Sequence, residues 1–398
     1  MSWEKVRLGD VTDSCLGKML DQEKNKGEYQ PYLANLNVRW GTFDLDNLSQ
    51  MRFEDDEQER YGLRYGDLVV CEGGEPGRCA IWKDQIPGMK IQKALHRVRV
   101  HECLDYRYLF YWFLLAWKRG ILEQYFTGAT IKHLPGQKLK SVVIDMPPIE
   151  SQHRIADILS TYDDLIENNQ KQIKLLEEAA QRLYKEWFVD LRFPGYEHTK
   201  ITDGVPEGWE KSTVAAVSSI LRRGISPRYN ENGKFVVINQ KCIRQTVVSF
   251  DESRQQEKPY PEDLNLQDSD TVICSTGAGT LGRVGQIFGN YPDTTLDSHV
   301  TLVRAKEGFG KQYLFQSLNS RQTYLMGMGK GSTNQLELNR GTIQDLDIYI
   351  PSKKVLNQFE QVAQPIHDKI SVISKCIMQL QTARDCLLPK LMSGKVEV

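Results

Sequence analysis

The sequence predicts an α+β protein in which two mixed α/β domains form a pseudo-twofold repeat and are separated by two long antiparallel coiled-coil helices. Two segments, 149–191 and 352–392, carry apolar residues at helical spacing. The segments before them share short motifs at an offset that stays between 203 and 207 residues. A nearly constant offset over half a chain indicates a duplicated unit rather than a chance similarity.

The first domain, residues 1–148, is expected to consist of short strands with one or two helices. It opens with Trp-Glu-Lys and contains YGDLVVCEGGEPGR at 65–78. A β-branched run, a glycine-rich turn and a closing Gly-Arg predict a strand, a turn and a second strand. Residues 108–110 begin a predicted short helix, and a Gly-x-Thr turn at 128–130 precedes the last strand.

The central segment, residues 149–191, contains neither glycine nor proline, which favours one uninterrupted helix. About 43 residues with a rise of 1.5 Å each give a helix roughly 60 Å long. Asn169 lies in the predicted seam, where a polar residue fixes the register of a helix pair. The predicted seam residues are Ile155, Ile158, Tyr162, Leu165, Ile173, Leu176, Ala179 or Ala180, Leu183 and Trp187.

The second half repeats this plan. A linker at 192–208 leads to a second domain, residues 209–351, which again opens with Trp-Glu-Lys. It contains DSDTVICSTGAGTLGR at 268–283, the counterpart of the glycine-rich segment above, and the early strands align as 32–35 with 236–239.

The final helix, residues 352–392, has a seam that repeats that of the central helix at an offset of 204 residues. In this alignment Phe359 corresponds to Ile155, and Val362 corresponds to Ile158. Pro365 is expected to kink this helix or to delay its start, because proline removes a main-chain donor and clashes with the preceding turn.

Composition and charge exclude several classes of protein. No apolar run approaches the roughly 18 residues of a membrane span, and the N-terminus lacks the apolar core of a signal peptide. The eight cysteines form no CxxC pair, which is typical of free thiols in a reducing cytoplasm. The net charge is −1, yet residues 78–140 contain twelve Lys and Arg against four Asp and Glu, and residues 211–244 contain seven against one. Two separate basic regions are compatible with two nucleic-acid contacts.

Catalytic and metal-binding motifs are not apparent. The glycine-rich turns lack the GK[ST] ending of a P-loop, no GxSxG elbow occurs, and the histidines show no convincing metal-ligand spacing. Each glycine-rich turn is interpreted either as a tight hairpin or as a turn whose amides, with Arg78 or Arg283, contact a DNA phosphate.

Two matching sets of polar residues are the candidate DNA-binding residues. Asn, Gln and Arg can bond to base edges with two atoms each, and Arg and Lys contact phosphates. In the first domain the set is Asn35, Asn37, Arg39, Arg78, Lys132 and His133. In the second domain it is Arg222, Arg223, Arg228, Asn239, Gln240, Lys241, Arg244, Arg283, Lys330, Ser332, Thr333 and Asn334.

Three helical motifs carry a family resemblance. RLYKEWFVDLRFPG at 182–195, which follows PPIESQHRIADIL at 147–159, resembles the central region of the specificity subunit of type I restriction-modification systems. LLPKLMSGKV at 387–396 resembles the C-terminal end of the same subunits. The layout of variable domain, long helix, variable domain, long helix covers the full length.

The resemblance implies two target-recognition domains, each of which reads one half of a bipartite double-stranded DNA site. It implies two bound methyltransferase subunits, with restriction subunits joining the larger complex. S-adenosylmethionine, ATP and Mg would then belong to those partners, and this chain would bind none of them and catalyse no reaction itself. Trp187 and Phe188 are candidate partner-binding residues, although both could instead pack on the FPGY segment that follows.

Two other functions remain open at this point. One is a DNA-modifying enzyme whose active site the sequence does not reveal. The other is a coiled-coil adaptor that binds only protein.

Overall fold

The computed structural model describes residues 3–19, 21, 25–46, 48–277, 279–331 and 336–396 of the chain. It has the α+β architecture that the sequence predicts, with short strands, short helices and two long helices. The chain forms two compact units, Met1–Glu167 with Met378–Val398, and Asn168–Ile377. Each long helix therefore contributes one end to each unit.

The first domain is built from short strands around one buried helix. Its strands are β1 (Glu4–Arg7), β2 (Thr12–Leu16), β3 (Glu28–Leu33), β4 (Val38–Arg39), β5 (Thr42–Phe43), β6 (Gln50–Phe53), β7 (Leu68–Cys71), β8 (Cys79–Ile81), β9 (Lys90–Ile91), β10 (Leu95–Val100) and β11 (Val143–Met146). Its helices are α1 (Glu57–Tyr61), α2 (Tyr106–Lys118) and α3 (Gly136–Lys140), and the first long helix, α4, spans Ile149–Tyr184.

The second domain follows a short hairpin in the linker. The strands after α4 are β12 (Ile201–Thr202), β13 (Val205–Pro206), β14 (Glu210–Thr213), β15 (Ser218–Arg223), β16 (Phe235–Ile238), β17 (Arg254–Gln256), β18 (Thr271–Cys274), β19 (Val284–Gln286), β20 (Thr294–Leu296), β21 (Val300–Ala305) and β22 (Asp347–Ile350). The helices are α5 (Val214–Val217), α6 (Lys311–Asn319), α7 (Gln322–Gly327), α8 (Arg340–Gln344) and the second long helix, α9 (Lys353–Leu391).

Strand order confirms the internal repeat. A four-stranded antiparallel sheet has the order β2-β10-β7-β8 in the first domain and β15-β21-β18-β19 in the second. The sheet β6-β3-β9 corresponds to β17-β16-β20, and in both sheets the middle strand has one antiparallel and one parallel neighbour. The pair β1-β11 corresponds to β14-β22.

The same buried ion pair stabilises the four-stranded sheet in both domains. Arg99 donates from Nε and Nη2 to the two carboxylate oxygens of Asp67, at 2.8 and 2.7 Å. Arg304 does the same to Asp270, at 2.7 and 2.7 Å. Because each aspartate is buried, the two-point contact replaces the hydration that the carboxylate loses on folding.

Helix α2 is the centre of the first core. The Asp105 side chain caps it by accepting from the main-chain N–H groups of Arg107 and Tyr108, at 2.7 and 3.2 Å. Apolar side chains surround the helix, and nine of its residues are buried, as expected for a helix enclosed on all sides.

The two long helices begin close to where the sequence predicts them. Helix α4 continues as one π-helical turn at Lys185–Val189. Helix α9 begins at Lys353, ahead of Pro365, so the expectation that the proline delays the helix start was wrong. A proline removes one main-chain hydrogen bond, and the burial of Phe359, Ala363 and His367 on the same helix offsets that loss.

The buried stripe of α4 differs from the predicted seam. Ile158 and Leu165 were placed in the seam but are 37% and 47% exposed. The buried apolar residues of α4 are Ile155, Ala156, Leu159, Ile166, Ala180 and Tyr184. The stripe is displaced because the start of α4 packs into the core of the first domain as well as against α9, which brings Ala156 and Leu159 inward. Val362, which aligns with Ile158, is 47% exposed. The start of α9 packs into the core of the second domain through Phe359 and Ala363, which leaves Val362 outside the buried face.

In each unit one end of α4 packs with one end of α9. In the first unit Asp163 accepts hydrogen bonds from Tyr111 on α2 and from Arg384 on α9. In the second unit the Asn169 amide lies 3.7 Å from the Cys376 sulfur. Further along, Trp187 packs on Phe359, with ring centroids 5.9 Å apart. Later residues of α4 thus meet earlier residues of α9, so the segments in this unit are antiparallel, as predicted.

Candidate nucleic-acid interface

One short turn carries the first group of candidate residues in each domain. The 3₁₀ turn Asn35–Asn37 follows β3, and the turn Gln240–Cys242 follows β16. The structure therefore makes Asn35 equivalent to Gln240, one residue away from the alignment of Asn35 with Asn239 that the sequence suggests.

An arginine closes this turn in both domains. Arg39 donates from Nη1 to the Leu36 carbonyl oxygen at 2.5 Å, and Arg244 donates from Nε to the Lys241 carbonyl oxygen at 3.1 Å. Each guanidinium also lies near an acid of its own domain, Asp44 at 3.7 Å and Glu252 at 3.8 Å. Both arginines are exposed, so these pairs are screened by solvent and leave the charges available to a phosphate.

The glycine-rich segments are hairpin turns between β7 and β8 and between β18 and β19. Gly77 and Gly282 have φ of 86° and 77°, a region that favours glycine. Their N–H groups donate to the Cys71 and Cys274 carbonyl oxygens, at 2.9 and 2.8 Å. Both segments are therefore tight hairpins, and a contact between these turns and a DNA phosphate stays a prediction.

An amide side chain lies against this hairpin in both domains. A Cβ atom built on Gly74 would lie 2.9 Å from Nδ2 of Asn35, and one built on Gly277 would lie 2.9 Å from Nε2 of Gln240. Glycine at these positions thus lets the amide approach the main chain. In the first domain the His133 ring lies beside Gly73 in the same way, 3.1 Å from the corresponding Cβ position.

A third segment completes the site. Thr127 and His133 exchange two main-chain hydrogen bonds of 2.8 Å, and Lys330 and Glu337 exchange two of 3.0 and 2.9 Å. His133 and Glu337 therefore occupy equivalent positions. Of the candidates in the second of these segments, Ser332, Thr333 and Asn334 lie outside the described residues.

Four of the candidate residues already use their polar atoms within the chain. The Asn37 side chain is 4% exposed, accepts from the Ala34 N–H and donates to the Asp44 carbonyl oxygen. Asn239 accepts from the Lys241 N–H at 2.8 Å and donates to the Glu252 carbonyl oxygen at 2.7 Å. These two asparagines build their turns, because the atoms that would bond to a base are occupied.

Arg78 and Arg223 are the other two. Arg78, whose side chain is 16% exposed, pairs with Glu75 at 2.7 Å and donates to the Asn35 carbonyl oxygen at 3.0 Å. Arg223 pairs with Glu337 and donates to the Leu338 carbonyl oxygen at 2.9 Å. Both arginines tie loops of the domain together, and their charge is neutralised locally.

Arg283 occupies the position of Arg78 in a different environment. The loop residue that corresponds to Glu75 is Thr280, whose hydroxyl donates to the Thr276 carbonyl oxygen at 3.0 Å. The second hairpin therefore keeps the arginine without the acid that neutralises it in the first.

The remaining polar candidates are mostly exposed. Lys132, His133, Arg228, Lys241 and Lys330 are exposed, and Arg222 is partly buried. Arg222 lines a cavity of about 560 Å³ together with Arg223 and Arg340. The sequence did not indicate Arg340, which belongs to no motif shared by the two domains, or the exposed Leu36 and Ile131, which have no polar group that would suggest a DNA contact.

The cysteines of the hairpins are not reactive groups. Burial raises the pKa of Cys71 to about 11 and that of Cys274 to about 12, so both thiols are protonated at neutral pH and are poor nucleophiles. Among the described residues, no group of three or more His, Cys, Asp or Glu side chains is arranged to hold a metal ion.

The two candidate partner-binding residues differ in exposure. Phe188 is 9% exposed and packs against Tyr313, Phe359 and Trp209, with centroid distances of 4.6, 5.0 and 5.7 Å. Trp187 is partly buried. Phe188 is thus a core residue of the second unit, and its neighbour Trp209 packs on Phe193 of the FPGY segment.

No helix in the described part of the chain is long and apolar enough to cross a membrane.

Comparisons with known proteins point to one family. The family model for the type I restriction modification DNA specificity domain matches residues 1–178. The chain is 29% identical over 302 residues to the MjaIX specificity subunit of a type I restriction enzyme from Methanocaldococcus jannaschii. The alignment covers 73% of this chain and 69% of that protein. It is 25% identical to the MjaVIII specificity subunit from the same organism, over 100% of this chain and 93% of that one.

A solved structure shares the fold. The crystal structure of the S subunit of a type I restriction-modification system from M. genitalium aligns with a TM-score of 0.55 at 17% identity, and the alignment covers 98% of this chain and 96% of that one.

Proposed function

The chain belongs to the family of type I restriction-modification specificity subunits, and from this membership we propose that each of its two globular domains reads one half of a bipartite DNA target. The role of such a subunit is to recognise DNA sequence, and it is not itself catalytic. Neither the enzyme nor the adaptor alternative is favoured by the family assignment.

The observation that carries the proposal is the repeated site. Each domain brings together a 3₁₀ turn, a glycine hairpin and a closing loop, and each positions one carboxamide on the hairpin, Asn35 in the first and Gln240 in the second. Asn and Gln can bond to adenine with two atoms in the major groove. Because the framework is shared and the side chains differ, the two sites are suited to read different half-sites.

The proposed contact set is smaller than the set predicted from the sequence. We exclude Asn37, Asn239, Arg78 and Arg223, because these side chains are buried or partly buried and are also held by hydrogen bonds within their own domain. We retain the exposed candidates, those on the hairpins, and the partly buried Arg222. The retained residues are Asn35, Arg39, Lys132, His133, Arg222, Arg228, Gln240, Lys241, Arg244, Arg283 and Lys330. Asn and Gln would read bases, and the cations would neutralise phosphates.

The partners follow from the family. Specificity subunits of type I systems assemble with methyltransferase and restriction subunits and bind DNA. We infer that this chain binds two methyltransferase subunits, one for each half of its repeat. The cofactors S-adenosylmethionine, ATP and Mg would be bound by those partners and not by this chain. Trp187 remains a candidate contact because it is only partly buried, whereas the buried Phe188 would act only by supporting it.

Sequencing of modified DNA tests this function. The chain is co-expressed with its methyltransferase partner in cells that lack other modification, and the methylated motif is determined across the genome. We expect a motif with two specified half-sites and an unread spacer. A single continuous motif, or methylation of DNA by this chain without a partner, would contradict the proposal.

A further inference from the structure

Two aliphatic side chains are exposed beside the polar site of the first domain. Leu36 is 64% exposed and Ile131 is 66% exposed. Leu36 is the middle residue of the 3₁₀ turn Asn35–Asn37. Ile131 lies in the loop that the main-chain pair Thr127 and His133 closes.

These two residues belong to the same part of the surface. The Asn35 amide lies against Gly74, and the His133 ring lies against Gly73, so the turn and the loop meet the glycine hairpin at consecutive residues. Leu36 is next to Asn35 in the chain, and Ile131 is two residues from His133. The aliphatic groups therefore flank the carboxamide that is proposed to read a base.

One exposed cation lies close in the chain to each residue of this apolar pair. Arg39 and Lys132 are exposed, and they lie within three residues of Leu36 and one residue of Ile131 respectively. If these cations bind DNA phosphates, the bases of the same DNA would lie against Leu36 and Ile131. The second domain differs, since the residue equivalent to Leu36 is Lys241, which is also exposed.

We propose that Leu36 and Ile131 contact thymine C5-methyl groups in the half-site that the first domain reads. This inference rests on the proposed function. The methyl group of thymine is the apolar group that the major groove presents among its donors and acceptors. A side chain with no polar atom cannot read a donor or an acceptor, so it discriminates by covering that methyl. The first half-site therefore contains at least one T·A pair recognised through its methyl group, next to the base read by Asn35.

Replacement of thymine by deoxyuridine tests the contact, because it removes only the methyl group. The complex of this chain with its methyltransferase is titrated with duplexes in which single thymines of the target are replaced, and affinity is measured by fluorescence anisotropy. Wild type is expected to bind about fourfold more weakly for one methyl lost at the first half-site. The double variant Leu36→Ala, Ile131→Ala is expected to bind the thymine and uracil duplexes equally, and each single variant is expected to lose part of the difference.

Matched controls separate this inference from the function on which it rests. Lys241→Ala, at the equivalent position of the second domain, removes one proposed phosphate contact and should weaken binding to the thymine and uracil duplexes alike. The ratio of the two affinities at the first half-site should therefore stay at its wild-type value. Because Leu36 and Ile131 are exposed, their alanine variants should melt at the wild-type temperature. A failure of the proposed function would appear as a methylated motif without two half-sites, whereas a failure of the methyl contact leaves that motif intact.

Three results would overturn the methyl contact. One is a first half-site with no thymine on either strand. Another is a response to uracil that is absent in wild type or undiminished in the double alanine variant. The third is insertion of the Leu36 side chain between bases. It would increase 2-aminopurine fluorescence beside the half-site, this increase would be lost in Leu36→Ala, and replacement of thymine by uracil would have no effect on affinity.

Discussion

At the scale of single residues, the use of polar atoms within the chain decides which side chains can read DNA. Asn239 and Gln240 are neighbours, yet both amide atoms of Asn239 bond to the main chain, whereas the Gln240 amide rests on the glycine hairpin. A side chain whose donor and acceptor are already occupied would have to give up those bonds to contact a base. We therefore propose different functions for these adjacent amides: Asn239 holds its turn, and Gln240 contacts DNA.

The first prediction separates these two roles. Asn239→Ala removes the cap of the turn and is expected to lower the free energy of unfolding by about 1 kcal/mol while leaving the recognised sequence unchanged. Chemical denaturation and competition binding with altered half-sites measure the two effects. Relaxed sequence preference in Asn239→Ala at unchanged stability would show that this amide reads DNA.

The second prediction concerns Glu177, a partly buried residue of α4 that bonds to Thr246. Burial raises the pKa of Glu177 to about 7 from its ordinary 4.5, although the hydrogen bond from Thr246 lowers it. Between these two values the folded chain keeps a proton that the unfolded chain releases, so stability falls as pH rises through this window. The Glu177→Gln variant lacks this proton release. Its free energy of unfolding relative to wild type should therefore rise by about 2–3 kcal/mol between pH 4.5 and pH 8.

Urea denaturation of both proteins at pH 4.5 and pH 8 measures this difference. Glu178→Gln is the control, because Glu178 forms a surface ion pair with Arg182. The stability of this variant should depend on pH as that of wild type does. An unchanged pH dependence in Glu177→Gln would contradict the burial of an uncharged carboxyl group at this position.

At the scale of elements, the long helices are held by side chains from the domains as well as by each other. The end of α4 and its π-helical turn place Tyr184 and Phe188 in the core of the second unit. The end of α9 places Leu388 and Met392 in the core of the first unit, at positions 204 residues further along. The repeat therefore extends to the helix ends, with aliphatic residues replacing aromatic ones.

The third prediction tests the buried position of Phe188. Phe188→Ala is expected to lower the free energy of unfolding by about 3–5 kcal/mol, because it opens a cavity among packed aromatic rings. Val189→Ala is the control, since Val189 is 57% exposed and should cost little. Thermal and chemical denaturation provide the comparison. If the two variants were equally stable and only Phe188→Ala lost the methyltransferase, Phe188 would be a partner contact after all.

The fourth prediction uses the two glycine hairpins. Arg283→Ala is expected to reduce the salt dependence of DNA binding by about one phosphate contact, because its loop carries Thr280 where the first hairpin has an acid. Arg78→Ala should instead lower stability, since it leaves Glu75 without its cationic partner. Binding titrations across a range of salt concentrations, together with melting curves, distinguish the two. Equal salt slopes for wild type and Arg283→Ala would remove Arg283 from the interface.

Periodicity and repetition predicted the elements, but they could not predict what each side chain meets. The long helices follow from spacing alone, and the strand order of the second domain follows from that of the first. The seam was misplaced at Ile158 and Leu165 because a helix that packs on a domain and on a second helix has a wider buried face than spacing reveals. Asn35 was aligned with Asn239 because identity is stronger evidence in a sequence than the shape of a turn.

At the scale of the whole molecule, duplication provides two separate sites, one for each half of the proposed DNA target. Each unit has its own core, its own sheet with a buried Arg–Asp pair, and its own turn and hairpin site. A substitution in one site is therefore expected to leave the other unchanged, because the hydrogen bonds described for the two sites have no residue in common, and substitutions at sites without shared partners have additive effects. Independence of the two sites is the central claim.

Methylation mapping of two matched variants tests that claim most directly. Asn35→Ala and Gln240→Ala are each expressed with the methyltransferase partner, and the modified motif is determined by sequencing. Each variant should relax one position in one half-site, a different half-site for each, with a loss of about 1–3 kcal/mol in affinity for the original sequence. Relaxation of the same half-site by both variants, or of both half-sites by either one, would contradict independent reading by the two domains.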